Sequence, residues 1–322
     1  SALNELKFHS LLLSPHQVEI LVVLCTLLSG RRKVEIQQTL ADADLARVLL
    51  AFQSRMSWDQ SKNEKAQTFA HAHGPGCECN PGSALRLQYL RLVHSFYDGD
   101  YDNNKNKKLV LSKSELRLLH AMKGYSKFDV AFSQNNKKGL INQLIAVHAV
   151  HDIDPPYMYW VTLCLESYAR GSTGPEQTFL LRSGILSNIL KVIKHDKKST
   201  TKSITNVMQT QFDLLSELMR HNIQAIELLN STLTDKEFKE FMETVMNNLI
   251  ESNVLLSTLY MTLEEDDILQ VVAARNDDMN RKKEMEIPAY LTHSWYQFSP
   301  KTLSKRGITS TRALEVKENV TV

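Results

Sequence analysis

Ser167-Tyr168-Ala169-Arg170-Gly171, then Gln177, then Gly184-Ile185-Leu186-Ser187-Asn188-Ile189-Leu190, is the stretch whose reading decides the fold. It has a counterpart nearer the start of the chain: Thr26-Leu27-Leu28-Ser29-Gly30, then Gln37, then Asp44-Leu45-Ala46-Arg47-Val48-Leu49-Leu50. In both, an apolar helix closes at a glycine, and a glutamine stands seven residues before the break that opens a second apolar helix. Glycine after a helix supplies the left-handed C′ conformation without a Cβ clash, and lets the chain turn. Ile185, Leu186, Ile189 and Leu190 then form one stripe to be buried. The closing element recurs as Gly139-Leu140-Ile141-Asn142-Gln143-Leu144-Ile145, whose glycine lies 45 positions before Gly184. That spacing falls within the ~40–47 residues of armadillo and HEAT repeats. No such helix pair covers its own apolar face, so the units must stack, and stacking leaves a long concave binding surface. The expected fold is all-α: an armadillo/HEAT-like helical-repeat solenoid over residues 1–265, followed by a weakly structured tail over 266–322. An irregular helical bundle is the competing reading.

Composition agrees with helix. Only 7% of the 322 residues are aromatic, and 11 glycines with 8 prolines provide too little turn chemistry for an all-β chain. A formal charge of +2 provides no global field to draw nucleic acid or an anionic membrane. The longest apolar run, Ile20 to Leu28, is broken by Thr26 and falls short of the ~20 residues that cross a bilayer. Four cysteines do not make a disulfide framework, so a reducing, cytoplasmic protein is expected. A first residue of Ser1 rather than methionine reads as a fragment of a longer protein.

Local signals place further elements. Ser112 with Glu115, and Thr234 with Glu237, form capping boxes, the second opening a helix through Ile250. Pro155 and Pro156 end one helix and precede Trp160 to Ala169, while Ile204 to Arg220 is a long amphipathic helix. Residues 54–81, 97–108 and 194–202 read as loops, and the helical pattern weakens beyond Asp266.

Few constellations suggest chemistry. His71, His73, Cys77 and Cys79 are four zinc-capable side chains within nine residues, enough for a closed tetrahedral site. A single residue between the cysteines is tight for that role, so a structural zinc and a metal-free surface loop both stay open. Asp98-Gly99-Asp100-Tyr101-Asp102 begins like a calcium loop, but the glycine and glutamate such a loop needs are replaced by Asn103 and Leu109. His148, His151 and Asp152 lack the glutamate of a HExxH site. Cys25 and Cys164 sit within apolar helices and read as core residues. Lys191, Lys194, Lys197, Lys198 and Lys202 form a basic stretch without interleaved aromatics, which reads as a solvated helix end. There is no nucleophile elbow, P-loop or dinucleotide fingerprint, so an enzyme is not expected.

His73-Gly74-Pro75, Cys77, Cys79, Ala84-Leu85, Leu90-Arg91-Leu92-Val93 and Ser95-Phe96 form a distinctive ordered string. With Gly30-Arg31-Arg32, Phe179-Leu180-Leu181, Gly184, Phe212-Asp213-Leu214-Leu215 and Glu217-Leu218-Met219, it resembles the short transient receptor potential channel 4-associated (TRUSS) family from about Gly30 to Leu263. No cofactor is expected beyond the structural zinc left open above, and the resemblance implies an armadillo-like fold. It implies a substrate receptor of the cullin-4 RING ubiquitin ligase, joined through the adaptor DNA-damage-binding protein 1, that selects proteins with an arginine-bearing C-terminal degron. It also implies a scaffold role with the tumour-necrosis-factor receptor and a TRP channel, in the cytoplasm and near the nucleus. Neither nucleic acid nor membrane insertion is expected. For the degron, Asp213 and Glu217 stand at i, i+4 on one helix face and Arg220 follows within a turn, so they are the candidate ligand-binding residues. An ordinary intrahelical salt bridge is the alternative.

Overall fold

The structure, a computed structural model, describes residues 16–56, 58, 81–99, 104–122, 138–150, 155–196 and 205–281. Among these residues the regular elements are all helices, and none is a strand. The chain divides into two compact units, Ser1–Pro175 and Glu176–Val322.

The first unit holds α1 (residues 16–27), α2 (Lys33–Asp42), α3 (Leu45–Gln53), α4 (Pro81–Tyr97), α5 (Asn104–Leu109), α6 (Lys113–Met122), α7 (Leu140–His148) and α8 (Pro155–Ala169). Helix α4 is its axis. Tyr89, Leu90, Val93, Phe96 and Tyr97 of α4 are fully buried. Their polar atoms find backbone partners: Tyr89 Oη donates to the Leu49 carbonyl at 2.9 Å and Tyr97 Oη to the Cys164 carbonyl at 2.7 Å. These two bonds tie α4 to α3 on one side and to α8 on the other. The thiols of Cys25 and Cys164 are buried in the same core, and burial pushes both above the ordinary thiol range.

The glutamine of the repeat pattern has a definite task here. Gln37 is fully buried, and its amide donates to the carbonyls of Ser95 and Asp98, each at 2.8 Å. Those carbonyls belong to the last turn of α4 and the residue just beyond it, where helix geometry leaves no intrahelical donor. Asn106 closes the same corner, donating to the Phe96 carbonyl at 3.1 Å. That buried amide explains why residues 104–109 form helix α5, although a loop is expected across 97–108. At the rim, Asp98 pairs with Lys33 at 2.8 Å and with Arg170 at 3.2 Å. Burial by itself would raise the Asp98 carboxyl, but Lys33, His94 and Arg170 outweigh it and leave the group below its ordinary range.

The second unit contains most of α9 (Gly174–Leu180), a π-type turn at Leu181–Ile185, α10 (Leu186–Asp196), α11 (Thr205–Met219), α12 (Ile223–Thr232), α13 (Asp235–Asn247) and α14 (Leu249–Arg281). Gln177 repeats the device of Gln37. Its amide donates to the carbonyls of Glu217, at 2.8 Å, and Arg220, at 3.0 Å, at the end of α11. Asn222 donates to Gln177 Oε1 at 3.0 Å and accepts from the Ala225 N–H at 3.2 Å, so one side chain links the glutamine to the start of α12. Seven residues beyond each glutamine the backbone is left-handed, at Asp44 with φ 60° and at Gly184 with φ 97°. The two copies thus match in hydrogen bonding and in backbone geometry.

Other expectations meet corrections. Gly171 is left-handed at φ 67°, whereas Gly30 is not; there the chain turns through short bonds from the Ser29 N–H to the Thr26 carbonyl and from the Lys33 N–H to the Gly30 carbonyl. Gly139 does not copy Gly184 either: at φ −69° it is extended, and what requires glycine is space. A Cβ there would lie 2.6 Å from the Ser112 nitrogen and 2.8 Å from the Val110 carbonyl oxygen, and closer still to Glu115 Oε2. Glu115, the second half of the first capping box, is buried and also accepts from the Gly139 N–H and the Asn142 amide, joining α6 to α7. The second capping box forms fully on α13, but that helix stops at Asn247 before α14 begins at Leu249. The Asn248 amide turns back onto the Thr244 carbonyl at that junction. Pro155 and Pro156 open α8 from within, at positions whose N–H groups would have no partner. Helix α14 continues past Asp266 to Arg281 through a stretch without glycine or proline.

Two outcomes test this account. Gly139→Ala should cost about 2–3 kcal/mol by overpacking, and Gly184→Ala about 1–2 kcal/mol through left-handed strain. Gly174→Ala, where a Cβ meets nothing within 4 Å, should be near neutral by urea denaturation. Because the folded-state pKa of Asp98 is depressed, its contribution is present at neutral pH and disappears as pH falls through that value. Asp98→Asn should therefore flatten the acid limb of the stability profile below about pH 4, by about 1 kcal/mol after solvent screening.

Candidate functional site

Ile185, which closes the π-type turn, and Leu186 and Ile189 of α10 are buried as expected, but Leu190 turns partly outward. It forms the floor of a half-open groove of about 230 Å³, together with Leu233 and Phe241. One wall is α10, presenting Ser187, Lys191 and Lys194 at helical spacing, and the other is α13, presenting Glu237, Glu240 and Thr244. An apolar floor thus lies between a cationic wall and an anionic one. Lys194 and Glu237 approach to 3.4 Å. Glu237 is held below the ordinary carboxylate range, first by the Thr234 hydroxyl it caps and then by the Thr234 backbone and Lys194, so it stays charged.

Every hydroxyl in the groove is already engaged. Ser187 Oγ donates to the Gly184 carbonyl at 2.9 Å, Thr232 Oγ1 to Leu228 at 2.6 Å and Thr244 Oγ1 to Glu240 at 2.8 Å. No imidazole or thiol lines the space. The three hydroxyls donate to backbone carbonyls rather than to Glu237 or Glu240, and two opposed charged walls over apolar side chains suit binding.

Of the residues picked out from sequence, Lys191 and Lys194, read there as a solvated helix end, line the groove; the others lie elsewhere in the two units or outside the described residues. Glu217 is only 8% exposed, and its carboxylate is met by Arg220 at 2.8 Å. Its backbone carbonyl is the one Gln177 satisfies, so Glu217 and Arg220 belong to the helix-end corner. Asp213, one turn earlier, is half-buried. His71, His73, Cys77 and Cys79 lie outside the described residues, as do Lys197, Lys198 and Lys202, Asp100 to Asn103, His151 and Asp152. His148 is buried in α7. Among the described residues, no group of three or more His, Cys, Asp or Glu side chains is placed to hold a metal ion. None of the described helices is long and apolar enough to cross a membrane.

Sequence reasoning missed the groove because its two walls belong to helices far apart in the chain. Only the packing of α10 on α13 brings Lys191 and Glu240 into one space. The local signal, lysines beside the Leu190 stripe, reads as an ordinary solvated face.

A family model described as a protein of unknown function (DUF3689) matches residues 36–299. The chain belongs to this family. It is 31% identical over 260 residues to the short transient receptor potential channel 4-associated proteins of Homo sapiens and of Mus musculus. The match covers 77% of this chain and 31% of each relative, so the chain spans about a third of their length. The resemblance drawn from the ordered motifs is therefore borne out. No solved structure matches at a significant level.

The helix-end corner yields a test of its own. Gln177→Leu keeps the volume but removes the donor to the Glu217 and Arg220 carbonyls and the acceptor of the Asn222 amide. It should cost about 3 kcal/mol in urea denaturation, since buried groups left unpaired cost ~1–3 kcal/mol each; a change below about 1 kcal/mol would show that water reaches the corner.

Proposed function

We propose that this chain is a non-catalytic protein-binding scaffold, an armadillo/HEAT-like solenoid serving as a substrate receptor of a cullin-4 RING ubiquitin ligase. The observation that supports binding is the groove between α10 and α13, apolar at its floor, oppositely charged at its walls and with its hydroxyls given to backbone carbonyls. The matched Gln37 and Gln177 corners support the repeat reading. So do the exposed apolar residues on the first and last described helices, Ile20, Val23 and Leu27 on α1 and Ile250, Val254 and Met261 on α14. Apolar faces of this kind are what a stacked repeat presents to its neighbour.

An arginine-bearing C-terminal degron offers a guanidinium and a nearby carboxylate. In the groove, Glu240 and Glu237 would take the guanidinium and Lys191 the carboxylate, with an apolar side chain over Leu190 and Phe241. Asp213 and Glu217 offer similar chemistry on α11, where Glu217 pairs with Arg220 as Glu237 pairs with Lys194 in the groove; what favours the groove is the apolar floor beside its charges. The proposed partners are the adaptor DNA-damage-binding protein 1 and degron-bearing substrates, in the cytoplasm. A second reading is a signalling scaffold without a ligase role that joins a TRP channel and the tumour-necrosis-factor receptor; the names of the relatives favour its channel part alone. A structural zinc at His71, His73, Cys77 and Cys79 remains part of the proposal and is testable by elemental analysis.

Fluorescence polarisation with a labelled peptide ending in an arginine-bearing degron separates these ideas. Lys191→Glu with Glu240→Lys should weaken binding at least about tenfold, or ~1.4 kcal/mol. Asp213→Asn with Glu217→Gln should leave it unchanged at matched helicity. The reverse pattern would move the site to α11, and no binding by the wild type, with no cullin-4 adaptor co-purifying from cells, would leave the channel-associated reading.

A further inference from the structure

Trp160, on α8 in the first unit, sits at the centre of a second cluster that the groove does not involve. The Arg91 guanidinium of α4 lies over its ring, 5.6 Å from the centroid. His94 and Tyr159 meet the same ring edge-on, at 5.9 and 5.7 Å. Beside them Arg86 lies over Tyr157 at 6.0 Å. Arg91 is exposed, its hydrogen bond to Gln88 Oε1 is long at 3.4 Å, and no carboxylate pairs with it among the described residues. A guanidinium held over a ring by cation–π attraction does not spend its N–H donors on that ring, and such donors can bind a carboxylate through two parallel bonds.

The surroundings set the sign of the ligand. Helix α4 contains no acidic residue, and α8 contains one, Glu166, whose side chain is 8% exposed and held by Arg170 at 2.7 Å. Burial lowers the His94 imidazole, with Asp98 opposing that effect and Lys33 and Arg170 adding to it, so its ring is neutral at pH 7. The face therefore presents fixed arginine charge over half-buried tryptophan and tyrosine, the residue types that anchor protein interfaces. An anionic membrane is drawn by clusters of four to eight lysines and arginines, which these helices lack.

We propose that the α4–α8 face around Trp160 docks an acidic segment of a partner protein, with Arg91 taking a carboxylate and the Trp160 and Tyr159 rings taking an apolar side chain. The chain has three tryptophans, so the indole N–H signals in a nitrogen–proton spectrum of the 322-residue protein can report on it, with Trp160→Phe identifying the Trp160 signal. A capped six-residue peptide of glutamates around one leucine should shift that signal saturably, and added salt should reverse the shift. Arg91→Gln should weaken the peptide about tenfold, while the remaining signals show the fold intact. No shift at millimolar peptide, or an equal shift with the glutamine counterpart, would overturn the proposal. So would an unchanged affinity in Arg91→Gln, which would leave Arg91 a purely structural role. A shift produced by phosphatidylserine vesicles and not by the peptide would assign the face to a membrane surface instead.

Discussion

A helix that ends inside a protein leaves its last carbonyls without an intrahelical donor, and in this chain that condition governs both units. The ends of α4 and α11 are partly buried, and one glutamine amide from a helix earlier in the sequence takes up two carbonyls at each. An amide suits the task because one nitrogen carries two protons and reaches two carbonyls together. Its oxygen remains available, and in the second unit Asn222 uses it to join the corner to the next helix. Since Gln37 and Gln177 lie within helices themselves, each bond fixes the register of one helix on the end of another.

That arrangement accounts for what could be read from sequence. The interval from each glutamine to the following break is legible because the backbone must reverse just there, and a left-handed residue seven positions on, Asp44 or Gly184, marks it. The capping boxes at Ser112 and Thr234 are legible for the same reason: their bonds are local. Gly139 misleads because sequence shows only that a residue is glycine. Its small size answers to Glu115, 24 positions away, whereas Gly184 answers to its own φ. Asn106 likewise reads as loop chemistry until its buried bond to Phe96 is seen.

The site was the less legible part. Glu217 and Arg220 attract notice as neighbouring opposite charges, yet their proximity is what an ion pair within one helix produces. A groove needs two elements, and the pairing of α10 with α13 is a tertiary fact that no spacing within either helix encodes.

The groove's charged side chains divide by whether they also serve the fold. Glu237 is the N3 residue of the α13 capping box, accepting from the Thr234 backbone and hydroxyl, so its replacement would disturb the start of the helix that forms the wall. Lys194 is its partner across the groove and serves the same end. Lys191 and Glu240 stand one turn away from that pair on their respective helices and take no part in the cap. In the proposed receptor, Lys191 and Glu240 can therefore change without disturbing the cap, whereas Glu237 serves both the cap and the proposed guanidinium contact.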